Sequence, residues 1–586
     1  MGIQLTDNQR LLLDSSAVSS RRWRWSRERW LAGWGVLALL IFYGGPLLML
    51  MVGAWRSAPP GQGGVWTTAA WTLVLQDARL LQALGNSLLI SLLNLLLAVP
   101  LAAALAFISQ RTDCPGRHWI TPAMLLMFAM PSLFYAMGFA LLANPYTGLL
   151  NALAQALGWP VRVNIETWTG LALTNTFRCV AFSYLFMLGP FRALSVDQEE
   201  ASMVCGRGTL STFARVSLPA LMPALGGAAI FAIIGGLEVF DLALIIGVPA
   251  GVPVLAVRIF DLLSNSAAPQ YGAASVLSLG LVLVVGALVL VQARLAGRRG
   301  FVSIAGKAAA HRPIGLGRGR WVVALLVWGY LWMAQVLPIG ALVFSSFQPF
   351  PGVFGALSLR HYTALLASPE IFDALGNTLM LALGTGVVTA LVGLLIAELE
   401  RSLSGPLARG VRFLAMVPMA MPGVVTALAI TWAYVSLPGL RALYGTFWMM
   451  LLALVVAMTP LAVQMGQAAL AQISPQLQEA AQVSGASLLR AWLRITLRLS
   501  LPSFAVSAYL AAVAVCGSLD IPLILGGPGL NTLSTTIYTL NARGQVGQAC
   551  ALLCLLFLLI VIPALVAAGV RHWRAHTPAN FRRQPL

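Results

Sequence analysis

The chain has 586 residues, of which 59% are hydrophobic and only 9% are charged. Soluble domains contain about a quarter charged residues, so this composition excludes a soluble globular protein and indicates a membrane protein. The net charge of +18 does not indicate nucleic-acid binding, because the Arg residues lie in short segments between long apolar runs. Arg in such short loops fixes the orientation of a polytopic membrane protein.

Twelve apolar runs are each long enough to cross a hydrocarbon core of about 30 Å as a helix. A backbone in lipid must satisfy its own hydrogen bonds, so these runs predict an all-α bundle of about 12 transmembrane helices. The first run is too long for a signal peptide and is interpreted as a signal anchor. In chain order the predicted spans are 31–55, 84–108, 119–142, 167–189, 220–247, 273–293, 321–346, 374–398, 412–434, 446–468, 500–526 and 548–570.

The distribution of basic residues predicts that both termini are cytoplasmic. With this orientation, most of the 36 Lys and Arg residues fall in the inside segments. These segments include an N-terminal tail (1–30), a C-terminal tail (571–586) and a central segment (294–320) rich in Gly, Ala and Arg. The central segment lacks apolar periodicity, so it is predicted to be a flexible linker that rests on anionic membrane lipid.

The chain repeats itself on the two sides of this linker. "ALGNSLLISLL" at 83–93 returns as "ALGNTLMLALG" at 374–384, and "AMPS" at 129–132 returns as "AMPG" at 420–423. The sequence therefore predicts two parallel six-helix repeats, related by a pseudo-twofold axis along the membrane normal. The predicted halves are 31–293 and 321–570.

A long polar segment lies between the fourth and fifth spans of each half. These segments, 199–219 and 478–498, share Glu-Ala-small, three residues, Gly, nine residues, a β-branched residue, one residue and Leu. The Glu-Ala stretch favours helix and the Gly permits a sharp change of direction, so each segment predicts a helix, a turn and a second helix. An amphipathic helix on the membrane surface is the alternative, and the presence of two equivalent copies counts against it. The matched residues are Glu200, Ala201 and Gly206 in the first segment and Glu479, Ala480 and Gly485 in the second.

This pattern resembles the EAA loops of the membrane subunits of bacterial binding-protein-dependent ABC importers, in particular the fused two-half permeases of the ferric-ion, thiamine and 2-aminoethylphosphonate uptake group. The resemblance covers nearly the whole chain and implies a type I ABC importer permease fold in the bacterial inner membrane. It also implies that both EAA loops dock on a homodimer of a separate ATPase, and that a periplasmic or extracellular binding protein delivers the substrate. The family's Pro after Leu is present as Pro219 but is replaced by Arg498, which implies a slightly different docking angle.

The sequence contains no phosphate-binding loop of the GxxxxGK[ST] type. That motif needs a Lys followed by Ser or Thr, and the one Lys, Lys307, lies in "AGKAAA". The chain is therefore predicted not to be an enzyme and to hold no cofactor, with ATP and Mg²⁺ bound by the partner ATPase. The Cys and His residues form neither a CxxC pair nor a cluster, so no metal site or disulfide framework is predicted.

Four charged residues fall inside predicted spans, where charge is costly and marks a substrate path or a structural network. They are Glu238 and Asp241 in the fifth span, Asp520 in the eleventh and Arg178 in the fourth. Asp241 and Asp520 hold equivalent positions in the repeat, and Glu238 lies three residues before Asp241 on the same helix face. Carboxylates that converge on a central path would suit a cation.

The alternative is a structural network. In that case Arg178 would neutralise Glu238, and the Asp residues would cap broken helices near the Gly- and Pro-rich segments that follow them. Asn86 and Asn377 also match between the halves and are predicted to make interhelical hydrogen bonds.

Ferric iron is the predicted substrate, because of the acidic pair and because "GGPGLNTLSTTIY" (526–538) is similar to a segment of ferric-ion permeases. Thiamine permeases have a similar segment, and 2-aminoethylphosphonate, which would use Arg178, and a polyamine stay open. The rival class is a 12-span secondary transporter, whose basic loop signature is missing from 109–119. A channel or scaffold would need no ATPase.

Overall fold

The structure is a computed structural model that describes residues 33–193, 196–264, 268–297 and 314–576. The predicted N-terminal tail (1–30), residues 298–313 of the predicted linker and residues 577–586 of the predicted C-terminal tail lie outside the described residues. Within the described ranges the chain is largely helical, and its β-type pairings are two isolated bridges, Arg56 with Trp66 and Thr112 with Ile314.

In the part of the chain that the structure describes, ten helices are long and apolar enough to cross a membrane, and two helix pairs each qualify as one interrupted span. The ten helices are Gly33–Gly53, Ala78–Arg111, Trp168–Arg192, Phe213–Leu237, Tyr271–Gln292, Gly317–Phe347, Pro369–Ser402, Phe447–Leu470, Leu488–Gly517 and Val546–Pro563. The pairs are Arg117–Ala129 with Ser132–Ala143, and Gly405–Ala420 with Gly423–Val435. Shorter helices connect them at Ala69–Gln76, Leu149–Ala156, Leu255–Ser264, Arg360–Leu366, Asp520–Leu525 and Leu533–Ala542. Each predicted span has a counterpart, which confirms the all-α class with 10 to 12 spans.

The third and ninth predicted spans are interrupted at a Met-Pro pair. Met130 (ψ 130°) and Pro131 (ψ 139°) are extended, and the helices on either side of them meet at 102°. The equivalent Pro422 (ψ 155°) precedes the helix that begins at Gly423. The Pro ring keeps the residue before it out of the helical conformation, so the break falls at this pair. The spans predicted at 119–142 and 412–434 are therefore each built from two helices joined at an angle.

The fifth and eleventh helices end earlier than predicted, at Leu237 and Gly517. Gly236 lies directly against the backbone of Ser91, and Gly517 lies against Pro131, so the chain turns where these close contacts form. Glycine also lowers helix propensity at both ends. The acidic residues predicted to lie within these helices instead follow the helix ends.

The described residues form two compact units. The first contains the residues up to Met49, Thr385–Met419 and Leu454–Ala511, and its core of Leu394, Ala397 and Leu470 packs against Trp492 and Leu497. The second contains Leu50–Gly384, Ala420–Ala453 and the residues from Ala512 onward. Its largest fully buried side chains include Tyr135, Tyr184, Phe134 and Phe191. These units cut across the predicted halves, whose boundaries stay a prediction.

Candidate functional site

The helix boundaries of the two EAA loops (199–219 and 478–498) repeat with one constant offset. In the first loop region, helical segments start at residues 196, 209 and 213, and in the second they start at 475, 488 and 492. The first segments are Val196–Val204 and Pro475–Val483, the second are Thr209–Thr212 and Leu488–Ala491, and the third are Phe213–Ser217 and Trp492–Thr496. Both copies confirm the predicted order of helix, turn and helix.

A left-handed glycine forms the turn in each loop. Gly206 has φ +82° and Gly485 has φ +90°, a conformation that side chains with a Cβ rarely adopt. The Gly206 amide donates to the Met203 carbonyl at 2.9 Å, and the Gly485 amide donates to the Gln482 carbonyl at 3.0 Å. These bonds end the first helix at its last turn, as is typical of a glycine C-cap. The Gly of the shared pattern is therefore required by backbone geometry.

The matched residues of both loops lie on the surface. Glu200 and Ala201 are exposed, as are Glu479 and Ala480. A Cβ on Gly206 or Gly485 would meet nothing within 4 Å in the described part of the chain.

Next to these residues, Val204 is 87% exposed and Val483 is 90% exposed, at equivalent positions. Each loop thus presents an exposed apolar side chain beside an open glycine, at equivalent positions.

Asp241 lies at the beginning of a helix in the second unit. The Ser132 hydroxyl, on the first residue of the helix Ser132–Ala143, donates to its carboxylate, and Asp241 is only 8% exposed. A carboxylate at the amino end of a helix is favoured by the helix dipole. Asp241 therefore joins the interrupted third span to the end of the fifth helix.

Asp520 has the equivalent place against the other interrupted span. Its carboxylate occupies the space where a side chain on Gly423 would begin, and Gly423 is the first residue of the helix Gly423–Val435. Oδ1 of Asp520 also accepts hydrogen bonds from the Ser518 hydroxyl at 2.8 Å and from the Ile521 amide at 2.9 Å. In the first half the Asp241 carboxylate accepts a hydrogen bond from the Ser132 hydroxyl. In the second half the equivalent residue is Gly423, which has no side chain, and the Asp520 carboxylate occupies the free space.

Glu238 and Arg178 complete the predicted set of charges. Glu238 is half-buried directly after Leu237, and Arg178 is exposed on the helix Trp168–Ala193. Asp520 and Arg178 lie near enough to influence Glu238 and Asp241 electrostatically, so the structure places all four charges in one region of the second unit.

Among the described residues, Glu238 has no ion pair within 4 Å, with Arg178 or any other cation, and its carboxylate accepts no hydrogen bond. The direct Arg178–Glu238 pair of the alternative interpretation is therefore not formed.

Asn86 and Asn377 attach the segments that follow the helix breaks. The Asn86 amide donates to the Pro253 carbonyl at 2.8 Å, and the Asn377 amide donates to the carbonyls of Gly529 and Asn531 at 3.2 and 3.0 Å. The acceptors are backbone carbonyls of loops, so the prediction that these two Asn side chains make interhelical hydrogen bonds is wrong.

The sequence signal missed two partners of the aspartates, Ser132 and Gly423. Both are the fourth residue of the repeated "AMPS" and "AMPG". The Met-Pro pair before each of them could have marked a helix start, which is where a carboxylate partner is expected. In the described ranges, no group of three or more His, Cys, Asp or Glu side chains could hold a metal ion.

These features define a polytopic helical protein with two equivalent surface loops. Residues 389–574 match the family described as "Binding-protein-dependent transport system inner membrane component". The chain is similar to the "Ferric transport system permease protein FbpB" of Actinobacillus pleuropneumoniae, with 24% identity over 82% of this chain and 69% of that protein. A second protein with a ferric transport permease name, from Haemophilus influenzae, is 23% identical over 70% of this chain and 64% of its own length.

A crystal structure of a bacterial ABC transporter involved in alginate import overlaps 48% of this chain and 99% of its own, with 19% identity and a TM-score of 0.41. Residues 389–574, in the second half of the chain, thus form a domain of this family, and over most of its length the chain is similar to permease subunits with ferric transport names.

Proposed function

We propose that this chain forms the translocation path of an ATP-driven importer of ferric iron and is driven by a separate ATPase dimer. The ATPase binds the two EAA loops on the cytoplasmic side of a bacterial inner membrane and supplies ATP and Mg²⁺. A binding protein on the other side delivers the substrate. The chain's two termini are cytoplasmic in this arrangement, as the distribution of basic residues predicts.

The observation that carries this proposal is the pair of exposed valines at equivalent positions in the two EAA loops, Val204 and Val483. Val204 and Val483 are almost fully exposed in water, next to glycines that leave room for a close approach. An exposed apolar side chain with an open, small-residue rim supports docking into a groove of another protein. Two copies with matching helix boundaries support a symmetric partner, such as two identical ATPase subunits.

Glu238 is the carboxylate best suited to meet a cation in transit. Asp241 and Asp520 already have hydrogen-bond donors near the starts of broken helices. Glu238 lies among the same charges without such a donor in the described part of the chain. The names of the ferric-transport relatives add support for iron.

The docking proposal is tested on tagged chain purified in mild detergent from the membranes of its host. The preparation is labelled with a photoreactive ATP analogue, which is expected to mark a copurifying ATPase subunit. Replacing Gly206→Trp together with Gly485→Trp is expected to remove at least nine-tenths of that label, as roughly expected for a bulky group in a docked interface.

The matched control is Gly158→Trp with Gly439→Trp. These two glycines are also left-handed, with φ +71° and +89°, and open to solvent, but they lie outside the EAA loops. The control is expected to keep the label. A double EAA variant that retains the ATPase would overturn the docking proposal.

The substrate is tested by uptake of radioactive ferric iron in cells with and without the chain. Uptake is expected to depend on the chain and to fall in Glu238→Gln. Uptake of thiamine, 2-aminoethylphosphonate and putrescine is measured in parallel. If uptake of one of these compounds depends on the chain and uptake of iron does not, the iron assignment is overturned while the importer class stands.

A further inference from the structure

A buried ion pair attaches the first EAA loop to the body of the protein. Nε of Arg111 lies 3.7 Å from Oε2 of Glu199, and both side chains are only 3% exposed. Arg111 is the last residue of the helix Ala78–Arg111, and Glu199 comes directly before the exposed Glu200. Two adjacent glutamates thus have opposite environments, one facing the solvent and the other held inside.

The same pair connects further elements. The Ser217 hydroxyl donates to Oε1 of Glu199 at 2.6 Å, and Ser217 precedes the long helix Leu218–Leu237. Nη2 of Arg111 donates to the Phe191 carbonyl at 3.2 Å, near the end of the helix Trp168–Ala193. The second, fourth and fifth membrane helices of the first half therefore meet at this pair together with the EAA loop.

The chain that leads into the second half is bonded at the same place. The Ile314 amide donates to the Arg111 carbonyl at 2.8 Å, and the Asp113 amide donates to the Ile314 carbonyl at 3.2 Å. The Asp113 carboxylate in turn accepts the Leu316 amide at 2.9 Å. The end of the predicted linker is thus fixed beside Arg111.

The second EAA loop has no such ion pair among the described residues. Gln478 stands where the first loop has Glu199, and Thr496 stands where it has Ser217. The Gln478 amide donates to the Thr496 hydroxyl and, at 3.3 Å, to Oε1 of Glu398. The acid is now on the membrane helix, and an uncharged amide is on the loop.

We propose that Arg111 and Glu199 are positioning residues that make the first EAA loop move as one body with its membrane helices, while the second loop is held by an amide-to-carboxylate hydrogen bond in place of an ion pair. This inference rests on the proposed function, since it concerns how a push from the ATPase reaches the helices. A buried charge that loses its partner is strongly unfavourable, so neither residue can leave the other without disturbing the loop. The two halves therefore respond unequally to the same ATPase.

The test uses the complete complex in proteoliposomes, to which the binding protein and ferric iron are added. The variants are Arg111→Gln, Glu199→Gln and the double variant, which removes both charges and imitates the amide of the second loop. Each single variant is expected to lower iron transported per ATP hydrolysed by at least about tenfold. The amount of bound ATPase is expected to stay within about twofold, because Glu200 and Gly206 are untouched.

Rescue separates positioning from general damage. The double variant is expected to recover most of the lost transport per ATP, and Arg111→Lys, which keeps the charge, is expected to retain more than Arg111→Gln. Arg192→Gln is the matched control, since Arg192 is exposed near the same helix end and bonds only Gln110, at 3.3 Å, among its hydrogen-bond contacts in the described chain. If Arg111→Gln does not fold, Ser217→Ala tests the same contact more mildly.

Single variants with normal transport per ATP, or a double variant no better than the worse single one, would overturn the inference. Failure of the proposed function has a different signature, namely an unaltered chain that brings no ATPase with it. The two outcomes are read from different measurements, the ATPase label and the ratio of iron to ATP.

Discussion

The two EAA loops share every helix boundary, yet a buried ion pair holds the first and an amide-to-carboxylate hydrogen bond holds the second. The interrupted spans differ in the same manner. Asp241 accepts a bond from Ser132, whereas Asp520 fills the space left by Gly423. The repeat has thus kept its backbone path while each side-chain contact was repacked, because backbone geometry depends on Gly and Pro positions and packing depends on local volume.

The aromatic anchors of the two loops give the largest expected difference. Trp492 packs against the core of Leu394, Ala397 and Leu470, whereas the Phe213 ring contacts the Phe107 ring at a tilt of 51°, with centroids 4.5 Å apart. Trp492→Ala is expected to cost about 2–4 kcal/mol and Phe213→Ala about 1–2 kcal/mol, because the larger ring leaves the larger void. Thermal unfolding in detergent measures the loss of stability in both variants. Equal losses would show that the two aromatic residues contribute equally to the stability of their loops.

Exchange of the two helix starts should reveal the repacking around the aspartates. Gly423→Ser is expected to destabilise the protein by about 1–3 kcal/mol, because its side chain would collide with the Asp520 carboxylate. Adding Asp520→Ala is expected to restore most of that loss. The reverse change, Ser132→Gly, removes one hydrogen bond and is expected to cost about 1 kcal/mol. A Gly423→Ser variant that melts like the parent would show that this space is not filled.

The turn glycines should behave alike in both loops. Gly206→Ala and Gly485→Ala are each expected to cost about 1–2 kcal/mol locally, because alanine in a left-handed conformation is strained. Hydrogen exchange of the amides after each turn reports this as faster exchange. Gly208→Ala is the control, since Gly208 is equally open but is not left-handed. A clear difference between the two loops would mean that their backbones are less equivalent than their boundaries.

Removal of the hydrogen bonds that Asn86 and Asn377 make to the loops should give the smallest loss of stability. Asn86→Ala removes a bond to one carbonyl and Asn377→Ala removes bonds to two, so losses of about 1 kcal/mol are expected, slightly larger for Asn377. Limited proteolysis within 247–253 and 526–531 detects the loosened segments. Unchanged cleavage in both variants would show that the loops are held by other contacts.

Hydropathy and repetition were sufficient to predict the spans and the EAA turns, because both signals are local. A run of apolar residues specifies a membrane helix, and a glycine at a fixed distance after Glu-Ala specifies a left-handed turn. The interruption at Pro131 was also local, but it lay inside a run whose hydropathy is continuous across the break. Hydropathy averages over such a break and cannot detect it.

The contacts between distant residues could not be predicted. Arg111 and Glu199 are far apart in sequence, and nothing near Arg111 distinguishes it from the other arginines at span ends. The environment of Glu199 differs from that of Glu200 only because the helix turns one inward and the other outward. Such pairing depends on how helices pack, which is a property of the folded chain.

The exposed side chains of Val204 and Val483 also have a consequence for the production and assembly of the protein. In the complex that we propose, the ATPase covers these two apolar side chains, so a newly inserted chain without that partner leaves both exposed, and proteases and chaperones recognise such groups. Production of the chain by itself should therefore give low yields and self-association, and co-production with the ATPase should relieve both. In the proposed complex, assembly therefore covers the exposed apolar side chains of the chain as well as supplying the ATPase.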